Sequence, residues 1–311
     1  MSLPFLQSYL GLSNSLQTAQ GGATTGATRG VFGGGYPGVN INVIEYVTIA
    51  TTGNVTDFGD LTVARHAAHG CASATRGLFN GGYAAANSNV IDYITIATPS
   101  NATDFGDLTL ARHGIATCAS ATRGVCGGGD SSGSTNVIDY VTIATTGNAI
   151  DFGDLSVAKH HAGGCASETR GVFGGGFSTA ATTAIDYVTI ATTGNATNFG
   201  DLTVARRGLG ASASPTRGIF GAGFYGTLVA TNVIDYITIA TTGNATDFGD
   251  LTVARYYICG CSSAVRGLFA AGSTGTDTNI IDYVTIATTG NATDFGDLSS
   301  ASVGVGACAG S

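Results

Sequence analysis

The segment NVIDYITIATTGNATDFGDLTVAR, residues 232–255, occurs six times along the chain in closely similar form. An Arg-Gly pair marks each copy at spacings of 47, 47, 47, 47 and 49 residues, and its arginines are Arg29, Arg76, Arg123, Arg170, Arg217 and Arg266. A period of this length is typical of propellers and other repeat architectures. We therefore divide the chain into an N-terminal extension, residues 1–27, and a repeat domain, residues 28–311, of six units of about 47 residues.

Each unit divides at its turn residues into four short candidate strands. In the second unit these are strand a, Ala67–Ala74, strand b, Arg76–Phe79, strand c, Val90–Ala97, and strand d, around Thr103–Leu108. β-Branched and aromatic residues dominate strand c, as in other strands. A single such sheet cannot bury both of its faces, whereas sheets stacked radially can. The sequence predicts an all-β, six-bladed β-propeller with strand a at the axis and the Asp-Phe-Gly-Asp segment of strand d outermost.

The order of the strands also predicts how the ring closes. The repeats begin at strand b and end on a sixth strand a, Val303–Ala309, which we expect to complete the first blade. A rival for this position is Thr18–Ala27, a weaker copy of strand a that needs a two-residue gap to align. The C-terminal copy aligns without a gap, so it is the favoured closing strand.

Composition limits the classes of partner. The formal net charge is −8, the sequence pI is about 4.8 and only 10% of the residues are charged. Nucleic-acid-binding proteins usually carry a basic face, so nucleic acid is not expected as a partner. No apolar run approaches the roughly 18 residues of a membrane-spanning helix, so no membrane insertion is expected. The first residues lack the pattern of a secretory signal, and we expect the seven cysteines to be reduced.

The repeated words resemble a known family. Gly128-Gly129, Val137–Tyr140, Phe152, Leu155 and Ala158-Lys159 resemble the kelch repeat, and the resemblance covers about nine-tenths of the chain. The usual Trp of that repeat is Phe here, at Phe58, Phe105, Phe152, Phe199, Phe248 and Phe295. The low charge and the Thr/Gly-rich, nearly identical repeats also resemble structural proteins of tailed, notably marine, bacteriophages. Kelch propellers include enzymes, adhesins and scaffolds, so the resemblance implies a fold rather than one function.

The N-terminal extension contains a candidate anchor. A short helix could begin at Pro4 and end at Gly11. Such a helix would place four apolar side chains, Phe5, Leu6, Tyr9 and Leu10, on one face. The alternative is an unstructured terminus.

Almost all charged residues belong to the repeat. Of the 12 Lys and Arg residues, only Arg207 lies outside a repeated position, and 17 of the 20 acidic residues are repeated as well. Repeated charges are more simply explained as partners between strands and blades than as an asymmetric active site. We therefore expect a protein without catalytic activity, cofactor or metal.

Two sets of repeated side chains could bind a metal. Cysteine occupies one strand-a position in five units, at Cys71, Cys118, Cys165, Cys261 and Cys308, with Ser212 in the remaining unit. These thiols are interpreted as small buried residues, although a ring of thiols around the axis could bind a soft metal. His66, His113 and His160 are equivalent to one another, and they could bind a metal or a carboxylate or simply be exposed at the rim.

The candidate binding surface combines these histidines with the variable loops. Arg207 and Tyr256 occupy the histidine position in the next two units, where strand a begins, so the five side chains should surround the mouth of the channel. The b-to-c loops differ in every unit and emerge on the same face, which suits either recognition or free drift of surface loops. Their aromatic residues, suited to contacts with sugars or proteins, are Tyr36, Tyr83, Phe177, Phe224 and Tyr225.

These observations favour a non-enzymatic structural, decoration or tail-associated protein of a phage virion, assembled in the host cytoplasm. Its expected partners are other virion proteins and host-surface glycans, and a homo-oligomer is compatible with the sequence. One alternative is a galactose-oxidase-like or sugar-processing enzyme, which would hold copper or another metal near the channel mouth. A second alternative is an intracellular kelch interaction scaffold.

Overall fold

The computed structural model describes residues 26–226 and 228–311 and consists of strands and turns. The strands are β1 Arg29–Gly35, β2 Ile41–Thr48, β3 Thr56–Asp60, β4 His69–Ala72, β5 Arg76–Asn80, β6 Val90–Thr95, β7 Thr103–Asp107, β8 Ala116–Ala119, β9 Arg123–Gly127, β10 Val137–Thr142, β11 Ile150–Asp154, β12 Gly163–Ala166, β13 Arg170–Gly174, β14 Ala184–Thr189, β15 Thr197–Asp201, β16 Gly210–Ala213, β17 Arg217–Gly221, β18 Phe224–Tyr225, β19 Val229–Ala230, β20 Val233–Thr238, β21 Thr246–Asp250, β22 Cys259–Ser262, β23 Arg266–Ala270, β24 Thr278–Thr285, β25 Thr293–Ser302 and β26 Gly306–Gly310.

Six four-stranded antiparallel sheets form the blades of the propeller. From strand a to strand d, blade 1 is β26-β1-β2-β3, blade 2 is β4-β5-β6-β7, blade 3 is β8-β9-β10-β11, blade 4 is β12-β13-β14-β15, blade 5 is β16-β17-β20-β21 and blade 6 is β22-β23-β24-β25. The six strands a line the axis, and strand d is the outer edge of each blade. The predicted all-β, six-bladed propeller is confirmed.

The C-terminal strand closes the ring, as predicted. β26 pairs with β1 in register from Arg29 opposite Gly310 to Gly33 opposite Gly306. The observed strand is shorter than the predicted Val303–Ala309, because Gly304 has a φ of 63° and turns the chain before the strand begins. Most of the rival strand and the predicted anchor lie outside the described residues: Thr18 to Thr25, Phe5, Leu6, Tyr9 and Leu10.

The outer edge of each blade is bonded to the c-to-d turn of the next blade. The backbone N–H of Asp60 donates to Oδ1 of Asn101 at 3.1 Å. Gly59 allows this approach, since a Cβ there would lie 2.6 Å from the Ser100 carbonyl. The same Asp-to-Asn bond occurs at all six interfaces, through Asn54, Asn101, Asn148, Asn195, Asn244 and Asn291. The repeated Gly-Asn turn is therefore part of the blade interface.

The arginines of the Arg-Gly pairs link blades nearer the axis. Arg123 in blade 3 donates through Nη1 to the carbonyls of Ile190 and Ala191 in blade 4, at 3.0 and 2.9 Å. Its guanidinium also lies 4.5 Å from the ring centroid of Tyr140 in its own blade. All six arginines bond to the next blade in this way, and Arg266 links blade 6 back to Ile49 of blade 1. For these six arginines, the prediction that repeated charges join strands and blades is confirmed.

The repeated cysteines pack between blades. A Cβ added to Gly171, the glycine of one Arg-Gly pair, would lie 2.5 Å from Sγ of Cys118 in the preceding blade. Cys71, Cys165, Cys261 and Cys308 occupy the same position against their glycines. Burial raises the pKa of Cys71 to about 12, so this thiol stays protonated at neutral pH. The interpretation of the cysteines as small buried residues is confirmed.

Five buried ion pairs fix the d-to-a connections to the blades. Arg65, which precedes blade 2, lies 2.9 Å from Asp92 on strand c of that blade, and both side chains are fully buried. The four equivalent pairs are Arg112–Asp139, Lys159–Asp186, Arg206–Asp235 and Arg255–Asp282. Blade 1 differs at both positions, with Ser302 in place of the cation and Glu45 in place of the aspartate.

The interface between blades 2 and 3 departs from the repeat at two facing positions. At four of the other five interfaces a glycine at the end of strand b faces a phenylalanine of the next blade, and blade 6 has Ala270 at this position. A Cβ on Gly174, for example, would lie 2.8 Å from the Phe220 ring. Blade 2 has Asn80 at this glycine position, and blade 3 has Cys126 at the phenylalanine position. Asn80 is fully buried and donates its amide to the carbonyl of His69 at 3.0 Å. We infer that the smaller Cys126 side chain makes room for Asn80.

Replacing Cys126 with Phe is therefore expected to destabilise the protein by about 1–3 kcal/mol, because the ring would enter the space of Asn80. Adding Asn80→Gly recreates the arrangement of Gly174 and Phe220, so the double variant should recover most of the loss. Chemical denaturation of the wild type, the two single variants and the double variant measures this coupling. Strictly additive effects would show that the two positions do not face each other.

Candidate functional site

The b-to-c loops and the d-to-a connections lie on one face of the ring, which we call the loop face. Within each blade an antiparallel backbone bridge joins the two segments, for example His66 with Tyr83 in blade 2. The other bridges join His113 with Asp130, His160 with Phe177, Arg207 with Phe224, Tyr256 with Ser273 and Val303 with Tyr36. The predicted common surface of loops and histidine-position residues is confirmed.

A closed ring of six backbone hydrogen bonds surrounds the axis at this face. Each residue that follows the histidine position donates its N–H to the carbonyl of its counterpart in the preceding blade: Ala67 to Gly304, Gly114 to Ala67, His161 to Gly114, Gly208 to His161, Tyr257 to Gly208 and Gly304 to Tyr257. The distances run from 2.6 to 3.2 Å, and all six residues have φ between 50° and 64°. This ring narrows the channel mouth, so a ligand of ordinary size would meet the loop face rather than enter the channel.

Two aromatic side chains of this backbone ring cover the mouth. Ring centroids of His161 and Tyr257 lie 5.0 Å apart, although the residues belong to blades 4 and 6. Gly114 makes room for His161, since a Cβ there would lie 2.5 Å from the imidazole Nδ1. A positive φ is costly for a residue with a Cβ, by about 1–3 kcal/mol. Three residues of the backbone ring, Ala67, His161 and Tyr257, have both a Cβ and a positive φ. Two of these strained residues, His161 and Tyr257, supply the aromatic cover of the mouth.

Beneath the mouth the channel is narrow and is lined in part by His69. Strands a enclose a cavity of about 60 Å³ lined by small residues, including Cys71, Thr117 and Ser212. His69 lies between this cavity and the mouth. Burial lowers the pKa of His69 to about 4, with a smaller lowering from His113 and an opposing hydrogen bond to the Ala67 carbonyl. His69 is therefore neutral at pH 7.

This buried histidine predicts acid sensitivity. The folded pKa of His69 is lower than the ordinary value of 6.5, so its contribution to stability is complete above pH 6.5 and is lost as the pH falls toward 4. The loss approaches about 3 kcal/mol at pH 4, at about 1.4 kcal/mol per unit. His69→Ala should lose less stability than the wild type between pH 7 and pH 4.5, measured by urea unfolding at each pH. Alanine occurs at this position in blade 3, Ala116, and equal pH slopes would refute the prediction.

Aromatic rings continue outward from the mouth in a nearly unbroken series of contacts. We call this group the crown; its members are Tyr36, His66, Tyr83, His113, His160, His161, Phe177, Arg207, Phe224, Tyr256 and Tyr257. Neighbouring aromatic members lie 4.9 to 5.7 Å apart between centroids. Arg207 joins the series where it passes from blade 4 to blade 5, between Phe177 and Phe224. The structure thus brings together nine of the ten predicted binding residues.

The histidines of blades 2 to 4 are held by the loops of the preceding blades. Nδ1 of His66 lies 2.7 Å from Oδ1 of Asn40, and His113 is bonded to Asn87 at the same distance. His160 is bonded to the hydroxyl of Ser134 at 2.9 Å. Burial lowers the pKa of all three histidines, so they are neutral at pH 7. They are half-buried and oriented, which corrects the interpretation of them as freely exposed rim residues.

The other half of the loop face lacks these polar pairs. The loop positions equivalent to Asn40 hold Ala181 in blade 4, Ala230 in blade 5 and Asp277 in blade 6. They face Arg207, Tyr256 and Val303, respectively, by the repeat geometry. In the described residues, no side-chain hydrogen bond joins these three pairs. These three positions therefore lack the loop bond that orients His66, His113 and His160.

The loop of blade 5 is two residues longer than the other five. It forms the small hairpin β18–β19. Tyr225, the tenth predicted binding residue, is 43% exposed, and Leu228 and Val229 are exposed as well. Phe224 is buried instead, and packs against Tyr256 and Tyr257. The predicted role of Phe224 in direct contact is corrected to one of support.

Sequence reasoning gave too little weight to His161 and missed the contributions of Tyr257 and Asn40. His161 and Tyr257 follow the histidine position, where the other blades have glycine or alanine. A bulky residue at a position that is glycine in other repeats can indicate a functional side chain when that position needs a positive φ. The sequence alone does not give the φ. Among the described residues, no three His, Cys, Asp or Glu side chains are grouped so that they could hold a metal ion.

The face is thus built from a rigid scaffold and one asymmetric group of aromatic, histidine and arginine side chains. Within residues 26–226 and 228–311, no helix is long and apolar enough to cross a lipid bilayer. A comparison with protein-family models and with curated proteins finds no match for the chain.

Proposed function

We propose that the protein is a non-enzymatic recognition propeller whose loop face binds a partner protein or a host-surface glycan. One observation carries the proposal: the crown differs from blade to blade, whereas the residues that join the blades repeat around the ring. A rigid scaffold with variable loops on one face is the usual arrangement of a binding protein. Exposed rings such as Tyr36, Tyr83 and Tyr225 suit stacking against sugars or apolar protein groups.

A binding role also accounts better than catalysis for the ionisable groups. Eleven of the 12 cationic side chains bond to carbonyls or carboxylates within the fold. Asp130, an acid of the loop face, accepts the backbone N–H groups of Ser132 and Gly133. General acid–base catalysis needs titrating groups aimed at one reacting atom. Three of the crown histidines, His66, His113 and His160, instead have their Nδ1 atoms bonded to loop side chains.

The repeat resembles kelch repeats and the structural proteins of tailed marine phages, and on that resemblance we assign the propeller to a virion. Residues 1–20 would attach it to the particle, and the loop face would point outward. Cryo-electron microscopy of the source particles tests this assignment, with density for a six-bladed ring on the capsid or tail as the expected result. A variant without residues 1–20 should fold but fail to join the particles. Particles without such density, or normal incorporation of the variant, would refute the assignment.

A separate experiment tests recognition by the loop face. The purified protein is expected to bind glycans or surface proteins of the host, and Tyr36→Ala, Tyr83→Ala and Tyr225→Ala should weaken binding. Thr193→Ala, on an exposed c-to-d turn of the opposite face, is the matched control. Binding that all four variants retain would place recognition elsewhere. A stoichiometric metal at the channel mouth would favour the enzyme alternative.

A further inference from the structure

Arg207 is the one Lys or Arg residue whose side chain has no hydrogen-bond or ion-pair partner among the described residues. All 12 Lys and Arg residues lie in the described part of the chain. Six bond to the next blade and five form buried ion pairs. The Arg207 side chain forms no hydrogen bond or ion pair with the described residues, and its nitrogens are not among the buried unpartnered atoms. Its N–H groups therefore reach solvent.

Two phenylalanines hold the Arg207 guanidinium in place. Its central carbon lies 3.9 Å from the ring centroid of Phe177 and 4.6 Å from that of Phe224. Cation–π contacts of this kind orient a guanidinium without neutralising it. Because the two phenylalanine rings contact the guanidinium, the N–H groups that remain for a ligand lie at its edge. That edge presents parallel N–H groups whose geometry matches the two oxygens of a carboxylate.

The surroundings explain why the charge has no partner in the protein. The loop position that supplies Asn40, Asn87 or Ser134 to the crown histidines of the histidine position is Ala181 here, and its side chain has no polar atom. Burial lowers the pKa of the neighbouring His160 and His161, and Arg207 lowers both further. Arg207 is therefore the cation of the crown, whose other members are aromatic and histidine side chains.

We propose that Arg207 binds the carboxylate of an acidic sugar, a uronic or nonulosonic acid, while the pyranose ring stacks on the crown. This inference rests on the proposed recognition function and names its ligand class. Apolar C–H faces of sugars stack on aromatic rings. Tyr256 packs on Phe224, the ring that contacts Arg207, and the exposed Tyr225 follows Phe224 in the chain. A single cation fits a single carboxylate. An acidic peptide with several carboxylates would bring uncompensated charge to a protein of net charge −8.

The test is an NMR titration of the full chain with defined probes. They are 3′-sialyllactose and a glucuronic acid disaccharide, the carboxyl methyl ester of each, neutral lactose, and a blocked Gly-Glu-Gly peptide. Arg207→Gln removes one positive charge, and Thr193→Asp on the opposite face is the control, because it changes the net charge equally. Thermal unfolding confirms that both variants fold.

We expect at least one acidic sugar to bind, its ester to bind at least tenfold more weakly, and Arg207→Gln but not Thr193→Asp to lose at least tenfold in affinity. Equal binding of acid and ester, an unaffected Arg207→Gln variant, or failure of every acidic sugar to bind would overturn the carboxylate assignment. Tighter binding of the peptide would replace the sugar by an acidic protein. Lactose binding that depends on Tyr225 but not on Arg207 would leave the recognition function standing and refute only this inference.

Discussion

A chain that lacks residues 302–311 is expected to lose the cooperative propeller fold. The deletion removes β26, whose five residues pair with β1, together with the buried side chains of Val305, Ala307 and Cys308. Lost hydrogen bonds and apolar burial together amount to about 5 kcal/mol or more. Typical domains have only about 5–15 kcal/mol of stability. The opened ring also exposes the unpaired edge of β1. Circular dichroism and thermal unfolding of the purified variant measure the effect.

Two comparisons make this prediction specific to closure. A synthetic peptide of residues 302–311 added to the truncated chain should restore part of the melting transition, because it can pair with β1. Deletion of residues 1–20 is the control at the other terminus and should leave the melting temperature unchanged. A truncated protein that melts like the full chain would show that Gly306–Gly310 does not hold the ring closed.

The fold was predictable because the same pattern of strand and turn residues recurs six times in the sequence. Turn residues at one spacing delimit the strands, and the whole number of units left one strand a for closure, as β26 shows. Strand ends were less predictable. Strand a of blade 2 begins at His69 rather than Ala67, because Ala67 has a φ of 50° and belongs to the hydrogen-bonded ring at the mouth. An alanine in a sequence does not indicate that the residue adopts a positive φ.

The candidate site was predictable in position but not in chemistry. Repeat alignment placed the histidine position beside the variable loops, and the count of cations isolated Arg207. Alignment could not show that Asn40 bonds to His66 across a blade interface, since the partners are 26 residues apart and only one of them is aromatic. It also could not show that Phe224 is buried, because the extra two residues of that loop form a hairpin beneath which the ring packs.

Asp139→Asn is expected to destabilise the protein by about 3–5 kcal/mol, because it leaves the Arg112 guanidinium buried without its carboxylate. In the native protein Arg112 lies 3.0 Å from Asp139, and neither side chain is exposed. Glu45→Gln is the matched control at the equivalent position of blade 1, where Ser302 replaces the cation, and it should cost less than about 1 kcal/mol. Chemical denaturation compares the two variants, and equal losses would contradict the argument.

Blade 1 shows that the ion pair is not required for a blade to form. Glu45 there accepts the backbone N–H of Ser299 at 3.4 Å, and the blade still has all four strands. In four of the other blades the pair is imperfectly satisfied, since Nε of Arg65, Arg112, Arg206 and Arg255 is buried without a partner. Removal of one partner of such a pair destabilises a protein, whereas replacement of both partners by apolar residues is often tolerated. The double variant Arg112→Met with Asp139→Leu should therefore be clearly more stable than Asp139→Leu alone, because no buried charge remains.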